Sequence, residues 1–194
     1  MKIYMFAKTV VSGILKPLYR IETKGIEHLP KSGGVLLCAN HISNLDPPVV
    51  GITCPRPVFF MAKEELFKAP ILKWVLPHLQ AFPVKRGISD RGALRTGLKI
   101  LKEGHVVGLF PEGTRSKTGE LGKGLAGAGF FALRSEASVL PCAIVGTYKP
   151  FRKVRVIYGP PIDFEEMRRN KVSVEEATEA IMAHIKKLIN ENKG

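Results

Sequence analysis

The sequence predicts a single α/β domain, and three observations support this prediction. The chain has 194 residues, which is the length of one ordinary domain. Its 45% hydrophobic and 24% charged residues are typical of a globular protein and exclude collagen-like, disordered and multi-span membrane classes. Short apolar runs alternate with helical patterns along the chain, as they do in proteins built around an α/β sheet.

Residues 1–20 predict an amphipathic N-terminal helix. They carry four basic and no acidic side chains, and lysines interrupt the apolar stretch. No apolar run reaches the ~20 residues that a membrane span needs, and no convincing signal-peptide cleavage site follows. Two placements stay open: a helix in the headgroup layer of an anionic membrane, or a helix packed on the protein's own core. We therefore divide the chain into this membrane-associating helix at 1–20 and a globular domain at 21–194.

The first half of the domain is predicted from local patterns. Apolar runs at 34–39 and 58–61 indicate buried strands. Asp46, followed by two prolines, indicates the start of a helix between them. The stretch at 64–80 mixes lysines with large apolar residues, which fits either a core helix or a second contact with a membrane. Its large apolar residues are Phe67, Ile71, Leu72, Trp74, Val75 and Leu76.

The second half continues the alternation. Ser89 or Asp90 can cap a helix that Gly104 ends. Further strands are predicted at 105–110, 139–145 and 154–158. Ser173 and Glu176 form a capping box at the start of a terminal helix. The apolar stripe of that helix is predicted to consist of Ala177, Ile181, His184, Ile185 and Leu188, with His184 packed inside the protein.

Charge is distributed unevenly along the chain. The formal net charge is +13, but residues 161–194 carry six basic and seven acidic side chains, so the whole surplus lies in residues 1–160. A surplus of this size indicates an anionic partner. Nucleic acid is disfavoured as that partner because only 8% of the residues are aromatic and no nucleic-acid-binding motif is present.

His41 and Asp46 are candidates for acid–base chemistry. On a continuous helix, five residues would place the two side chains about 140° apart, so they meet only if the chain turns between them. Turn formers are present at Asn44 and in the two prolines after Asp46. If the side chains meet, Asp46 fixes the imidazole tautomer and His41 can act as a general base. The alternative is a helix-capping aspartate beside a loop histidine.

Cationic residues follow two further strand-like segments. Lys85 and Arg86 lie in FPVKRG, and Arg115 lies in FPEGTR. Ligands of open α/β sheets collect outside the carboxyl ends of strands, so both segments can line one crevice. Arg115 offers a fork of donors to a phosphate, to which Lys85 or Arg86 adds charge. The alternative for each segment is a solvated surface turn.

Other chemistries lack their motifs. The string TGELGKG has Lys117 where a phosphate-binding P-loop needs glycine, and no G-x-S-x-G sequence is present. Cys38, Cys54 and Cys142 lie far apart and are odd in number, which indicates neither a disulfide framework nor a zinc site and fits a reducing compartment. We therefore expect no metal and no cofactor.

Four segments, taken in order, resemble the four sequence blocks of the glycerolipid acyltransferases, above all the 1-acylglycerol-3-phosphate acyltransferases. They are NHISNLD at 40–46, FPVKRG at 82–87, FPEGTRS at 110–116 and VLPCA at 139–143. The resemblance covers about residues 21–162. It implies the fold of that family, a mixed, mostly parallel sheet flanked by helices, in agreement with the alternation of elements.

The resemblance also implies roles for particular residues. His41 is the base that deprotonates the free hydroxyl of lysophosphatidic acid, and Asp46 orients it. The acceptor and its phosphate are bound by Lys85, Arg86, Glu112, Gly113, Thr114 and Arg115. The segment around Pro141 is the least informative of the four, since it serves either the acyl-donor side or the structure.

The reaction implied is transfer of an acyl chain to the 2-hydroxyl of 1-acylglycerol 3-phosphate, giving phosphatidic acid for phospholipid biosynthesis. The donor is acyl-CoA or acyl carrier protein, and the sequence does not choose between them. The expected location is the cytoplasmic face of the cell membrane, on an anionic membrane surface. Two alternatives stay open: an acyltransferase acting on another lysophospholipid or other acceptor, and a membrane-binding module without catalysis.

Overall fold

The predicted alternation folds into a seven-stranded β-sheet. The computed structural model of the chain describes residues 2–85 and 90–193. The strands are β1 (Glu22–Lys24), β2 (Val35–Ala39), β3 (Val58–Lys63), β4 (Ala81–Val84), β5 (Val106–Leu109), β6 (Ser138–Gly146) and β7 (Val154–Tyr158). They are ordered β1-β7-β6-β2-β5-β3-β4, and every neighbouring pair is parallel except β6 and β7. The predicted mixed, mostly parallel sheet is therefore confirmed.

Helices connect the strands. They are α1 (Lys2–Leu18), α2 (Asp46–Thr53), α3 (Pro70–His78), α4 (Arg91–Lys102), α5 (Gly127–Arg134), α6 (Glu165–Arg169) and α7 (Val174–Asn192). The helix starts predicted at Asp46 and Asp90 are confirmed, and the carboxylate of Asp90 accepts a hydrogen bond from the Ala93 amide at 3.0 Å. Ser89, the other predicted cap, lies outside the described residues. The capping box of Ser173 and Glu176 is present.

The core fills both faces of the sheet. In β2, Val35 and Leu37 point to the face covered by α2, while Leu36 and Cys38 point to the face covered by α5 and α7. All four are at most 1% exposed. A strand buried on both faces reads as a continuous apolar run rather than an alternating one, which is why the sequence at 34–39 shows no polar residue. Burying a leucine fully stabilises the fold by roughly 1.5–3 kcal/mol.

The prediction that His184 packs inside the protein is wrong, because its side chain is exposed. The buried line of α7 consists of Ala177, Ile181 and Ile185, which are spaced four residues apart. His184 lies about 100° around the helix from Ile185, beyond the edge of that line. Its Nδ1 contacts the carbonyl oxygen of Ala180 at 2.8 Å instead.

Helix α1 packs on the protein along one side, and its other side is exposed. On one side it packs against α2 and buries Tyr4, whose hydroxyl accepts a hydrogen bond from the Val58 amide at 3.3 Å. Lys8 donates to the carbonyl oxygen of Cys54, at the end of α2. The other side of α1 leaves large apolar side chains exposed: Ile3, Met5, Phe6, Val10 and Ile14.

Helix α3 is not the core helix that its sequence allowed. It contains no buried residue, and Ile71 and Trp74 are 77% and 62% exposed. We call the exposed apolar side chains of α1 and α3 together the apolar rim. Within the described residues, no helix is both long enough and apolar enough to cross a membrane.

Candidate active site

The chain turns sharply between β2 and α2, and this turn brings His41 and Asp46 together. Nδ1 of His41 lies 2.8 Å from Oδ2 of Asp46. The turn is closed by the amide of Asp46, which donates to the carbonyl oxygen of Ser43 at 3.1 Å. Pro47 and Pro48 then fit the first turn of α2, where their missing amide hydrogens leave no helical bond unmade. The five-residue spacing therefore produces contact because it is not helical.

The Asp46 carboxylate accepts hydrogen bonds from several groups around the turn and does not cap α2. The residue that precedes the helix as its N-cap is Leu45, and no side chain caps the first turn. Oδ2 of Asp46 instead accepts from the backbone amides of Ile42 and Ser43, both at 2.7 Å. Its other oxygen, Oδ1, accepts from the hydroxyl of Tyr148 at 2.7 Å. Because Asp46 is 0% exposed, these bonds compensate for the water that its charge gives up.

The backbone of His41 is clamped from both sides. Its amide donates to Oε2 of Glu112 at 2.7 Å, and its carbonyl oxygen accepts from the Ser116 amide at 2.8 Å. The ring of Phe110 stacks on the imidazole, with 4.1 Å between the centroids and 19° between the planes. The loop that carries His41 follows β2, and the loop that carries Phe110, Glu112 and Ser116 follows β5. Both loops therefore begin at the carboxyl ends of neighbouring parallel strands, where ligand sites of α/β sheets form.

This geometry fixes what the imidazole can do. A carboxylate only accepts hydrogen bonds, so Nδ1 carries the proton that points at Asp46. The lone pair of the neutral ring is then on Nε2, which can take a proton from a substrate. Because these contacts hold both the ring and its backbone, the imidazole has a fixed orientation without a bound substrate.

Two apolar cavities meet at His41. The first, of about 730 Å³, lies between α1, α2, β3 and α3, and contains Thr114 and Arg115 at its His41 end. The second, of about 890 Å³, lies on the side of α4 and α5 and is lined in part by Leu94, Leu125 and Phe130. His41, Met61, Phe110 and Thr114 line both. Both volumes fall in the ~300–1,000 Å³ range of small-molecule sites.

The predicted binding residues fall into two groups. Thr114 and Arg115 are exposed and line the same cavity as His41. The side chain of Lys85 is 61% exposed, and its Nζ lies 4.0 Å from Glu64 Oε1, so it does not line either cavity. Arg86 lies outside the described residues.

Glu112 and Gly113 shape the site from within the loop. Glu112 is buried, and its second oxygen, Oε1, accepts from the Gly122 amide at 2.7 Å. Its carboxylate therefore joins two backbone segments. Gly113 has φ of +65°, a backbone conformation that favours glycine.

Neither a metal nor a cysteine nucleophile is indicated by the described residues. Among residues 2–85 and 90–193, no three His, Cys, Asp or Glu side chains are grouped so that they could hold a metal ion. All three cysteines are buried and free. Burial raises the pKa of the Cys38 and Cys142 thiols far above their ordinary value, which keeps them unreactive.

Two contacts of the site escaped sequence reasoning. Tyr148 lies 102 positions from Asp46 and outside all four quoted segments, and nothing near it in the sequence points to the site. Asn40 belongs to the NHISNLD segment, but the sequence gives it no role. Its side chain makes two hydrogen bonds with Ile144, donating to the carbonyl oxygen at 2.9 Å and accepting from the amide at 2.7 Å.

Comparison with known proteins places the chain among acyltransferases. The sequence model of the family described as Acyltransferase matches residues 20–145. A 1-acyl-sn-glycerol-3-phosphate acyltransferase of Bacillus subtilis is 31% identical, over 96% of this chain and 97% of that protein. A chloroplastic 1-acyl-sn-glycerol-3-phosphate acyltransferase of Arabidopsis thaliana is 34% identical over 75% of this chain, but the match spans only 42% of the plant protein.

A solved structure agrees with the fold. The crystal structure of the 1-acyl-sn-glycerophosphate acyltransferase of Thermotoga maritima superposes with a TM-score of 0.76 at 27% identity, covering 100% of this chain and 79% of that one.

Proposed function

Because the chain belongs to the Acyltransferase family, we propose that it transfers an acyl chain from a thioester to the 2-hydroxyl of 1-acylglycerol 3-phosphate, which gives phosphatidic acid. The similar proteins named above carry this activity in their names. The observation that carries the proposal is the His41–Asp46 pair, buried and oriented at the junction of two apolar cavities.

In the proposed mechanism, His41 is the general base. Its Nε2 takes the proton of the acceptor hydroxyl while the oxygen attacks the thioester carbonyl carbon. A C–O bond forms, the carbonyl becomes a tetrahedral oxyanion, and the C–S bond then breaks. The departing thiolate receives the proton from the imidazolium, so the base is regenerated and no metal is needed.

Asp46 serves this step by orientation and charge. Its contact with Nδ1 keeps Nε2 as the unprotonated nitrogen, and its negative charge stabilises the imidazolium formed as the proton moves. The amides of Ile42 and Ser43 and the hydroxyl of Tyr148 hold the carboxylate in place. The pair is therefore preorganised, and little reorganisation is needed at the moment of reaction.

The two cavities fit the two hydrocarbon chains of this reaction. The acceptor brings one acyl chain and the thioester donor brings another, and both must reach His41. The walls of both cavities are largely apolar, and Phe110 lies between them, stacked on the imidazole. The donor can be acyl-CoA or acyl carrier protein, since both present the same thioester.

The phosphate of the acceptor has candidate ligands at the mouth of the first cavity. Arg115 and Thr114 line it beside His41, and a guanidinium can bind two phosphate oxygens at once. We assign Lys85 and Arg86 to the same role, Lys85 by moving from its exposed, weakly paired position. Glu112 and Gly113 contribute by fixing the loop and the His41 backbone.

The apolar rim suits an anionic membrane surface. The first cavity lies between α1 and α3, which carry the exposed residues of the rim. Lysines of α1 add attraction for anionic headgroups. With the rim in the headgroup layer at the cytoplasmic face, acyl chains would pass from hydrocarbon into the cavity without crossing water.

The proposal is tested by the products of the purified protein in anionic vesicles. We expect phosphatidic acid from 1-acylglycerol 3-phosphate, and much less product from a 1-acylglycerol acceptor that lacks the phosphate. Acyl-CoA and acyl carrier protein donors, supplied in parallel, identify the preferred thioester. Equal acylation of both acceptors would contradict the phosphate assignment, and no product with either donor would contradict the reaction.

A further inference from the structure

Tyr148 lies in the loop between β6 and β7, outside every segment that identified the family. We propose that Tyr148 is a positioning residue for the reaction, acting through Asp46 on His41. Its hydroxyl would fix the plane of the Asp46 carboxylate and so keep Oδ2 aimed at Nδ1 of the imidazole. This inference rests on the proposed function, in which His41 is the base.

The contacts of Asp46 divide unequally between its two oxygens. Oδ2 accepts from Nδ1 of His41 and from the amides of Ile42 and Ser43. Oδ1 accepts from Tyr148 at 2.7 Å, and this is its one donor among the described residues. Because Asp46 is 0% exposed, water does not replace a donor that is removed. The orientation of the carboxylate about its own axis therefore depends on the tyrosine.

The environment of Tyr148 keeps its hydroxyl protonated, so that it stays a hydrogen-bond donor to Asp46. Burial, followed by the negative charge of Asp46, raises its pKa far above the ordinary value near 10. The phenol consequently keeps its proton at any pH at which the protein works. Its ring is fixed by Tyr19, which packs edge-on with 5.4 Å between centroids and 84° between planes.

The loop that carries Tyr148 is tied to the strand that carries His41. β2 pairs along its whole length with the first part of β6, and the last pair is Ala39 with Cys142. Beyond this pair, the side chain of Asn40 makes the two hydrogen bonds to the backbone of Ile144. Asn40 thus extends the pairing by one residue immediately before His41, which places the β6–β7 loop over Asp46.

Loss of the phenol oxygen should act on the chemical step. A carboxylate oxygen left buried without a donor is destabilised, so the carboxylate can rotate about its own axis and its contact with Nδ1 of His41 is no longer held in line. Neither change removes a contact with the acceptor or the donor. We therefore expect kcat to fall while KM for the acceptor stays close to that of the wild type.

The test compares Tyr148→Phe with Tyr158→Phe. Tyr158 is a suitable control because it lies in the core and its hydroxyl, like that of the half-buried Tyr148, makes one hydrogen bond, with Thr53 Oγ1 at 2.8 Å. We expect Tyr148→Phe to lower kcat about tenfold, as the loss of a hydrogen bond to a charged group does, with KM within about twofold. Tyr158→Phe should leave both constants near wild type. A decrease in kcat shared equally by both variants would overturn the proposal.

A second readout does not depend on turnover. The resonance of the Nδ1 proton of His41, assigned by its absence in His41→Ala, reports the strength of its bond to Asp46. We expect it to move upfield in Tyr148→Phe, as the bond to Asp46 weakens, and to stay in place in Tyr158→Phe; an unmoved resonance in Tyr148→Phe would overturn the coupling. If the wild type acylates no acceptor, the proposed function fails, and this resonance still decides whether Tyr148 acts on His41.

Discussion

The His41 turn and the cationic loops at the same end of the sheet are built in opposite ways. His41 and Asp46 are 8% and 0% exposed, and hydrogen bonds hold both their side chains and their backbone. Arg115 and Lys85 are exposed, and the ion pair of Lys85 is long and solvated. The proposed base is thus fixed before substrate arrives, while the proposed phosphate ligands keep their freedom until a phosphate binds. From this difference we expect substitutions at the turn to lower kcat, and substitutions at the cations to lower kcat/KM for the acceptor.

Apart from substitution of His41 itself, the largest expected effect in this comparison comes from Asp46→Asn. The amide cannot accept from all the donors that now meet the carboxylate, and it favours the wrong imidazole tautomer. We expect kcat to fall by about 10²–10³-fold, within the range for general-base catalysis. Steady-state kinetics beside Asp163→Asn, an exposed carboxylate on another surface, checks the expectation. A kcat within threefold of wild type, a bound we set at about 0.7 kcal/mol, would show that Asp46 has no part in orienting the base.

Glu112→Ala decides whether this carboxylate binds substrate or fixes the backbone. It leaves the buried amide of His41 without its acceptor, at a cost of about 1–3 kcal/mol, and it unties the exposed backbone at Gly122 from the site. We expect a lower thermal midpoint and a kcat lowered about 10–100-fold, with KM for the acceptor little changed.

Glu120→Ala, an exposed neighbour in the same loop, is the control for Glu112. A large rise in KM with kcat and stability unchanged would instead place Glu112 in contact with the acceptor, as the resemblance first implied.

Arg115→Ala tests the cationic loops, the second of the two regions compared. Loss of a charge-assisted contact to phosphate should lower kcat/KM for the phosphorylated acceptor about tenfold or more. Because the side chain is exposed, the thermal midpoint should not change. Lys117→Ala, an exposed cation two residues along, should have a smaller effect. An unchanged kcat/KM in Arg115→Ala would remove this residue from the phosphate site.

The smallest effect concerns the apolar rim. Phe6 is 71% exposed on α1, and Phe6→Ser should weaken binding to anionic vesicles several-fold, because the phenyl group then no longer enters hydrocarbon. Sedimentation with vesicles measures the change. Phe151, also 71% exposed but in the β6–β7 loop, is the matched control. Equal losses in Phe6→Ser and Phe151→Ser would show that the membrane contact extends beyond α1 and α3.

Elements coded by local patterns were predictable from the sequence. The apolar run of β2, the proline-marked start of α2 and the capping box of Ser173 carry their signals within a few residues. Helix α5 was not predicted, because its glycines are poor helix formers. Gly129 is explained only by packing: a Cβ there would lie 2.0 Å from the carbonyl oxygen of Val174 at the start of α7.

In the site, too, only features coded by neighbouring residues were predictable from the sequence. The His41–Asp46 pair was accessible because its two members are five residues apart and belong to a recognisable motif. The acceptor of the His41 amide, Glu112, and the donor to Asp46, Tyr148, are 71 and 102 positions from their partners. Only the parallel pairing of β2 with β5 and β6 brings them close.

The most direct test of the central claim is acyl transfer by His41→Ala beside His184→Ala, an exposed histidine on the distant helix α7. The assay uses anionic vesicles, 1-acylglycerol 3-phosphate and the preferred thioester, with circular dichroism and vesicle sedimentation to show that fold and binding are retained. If His41 is the base, His41→Ala forms no phosphatidic acid above background while His184→Ala matches wild type. Substantial turnover by a folded, vesicle-bound His41→Ala protein would contradict the assignment.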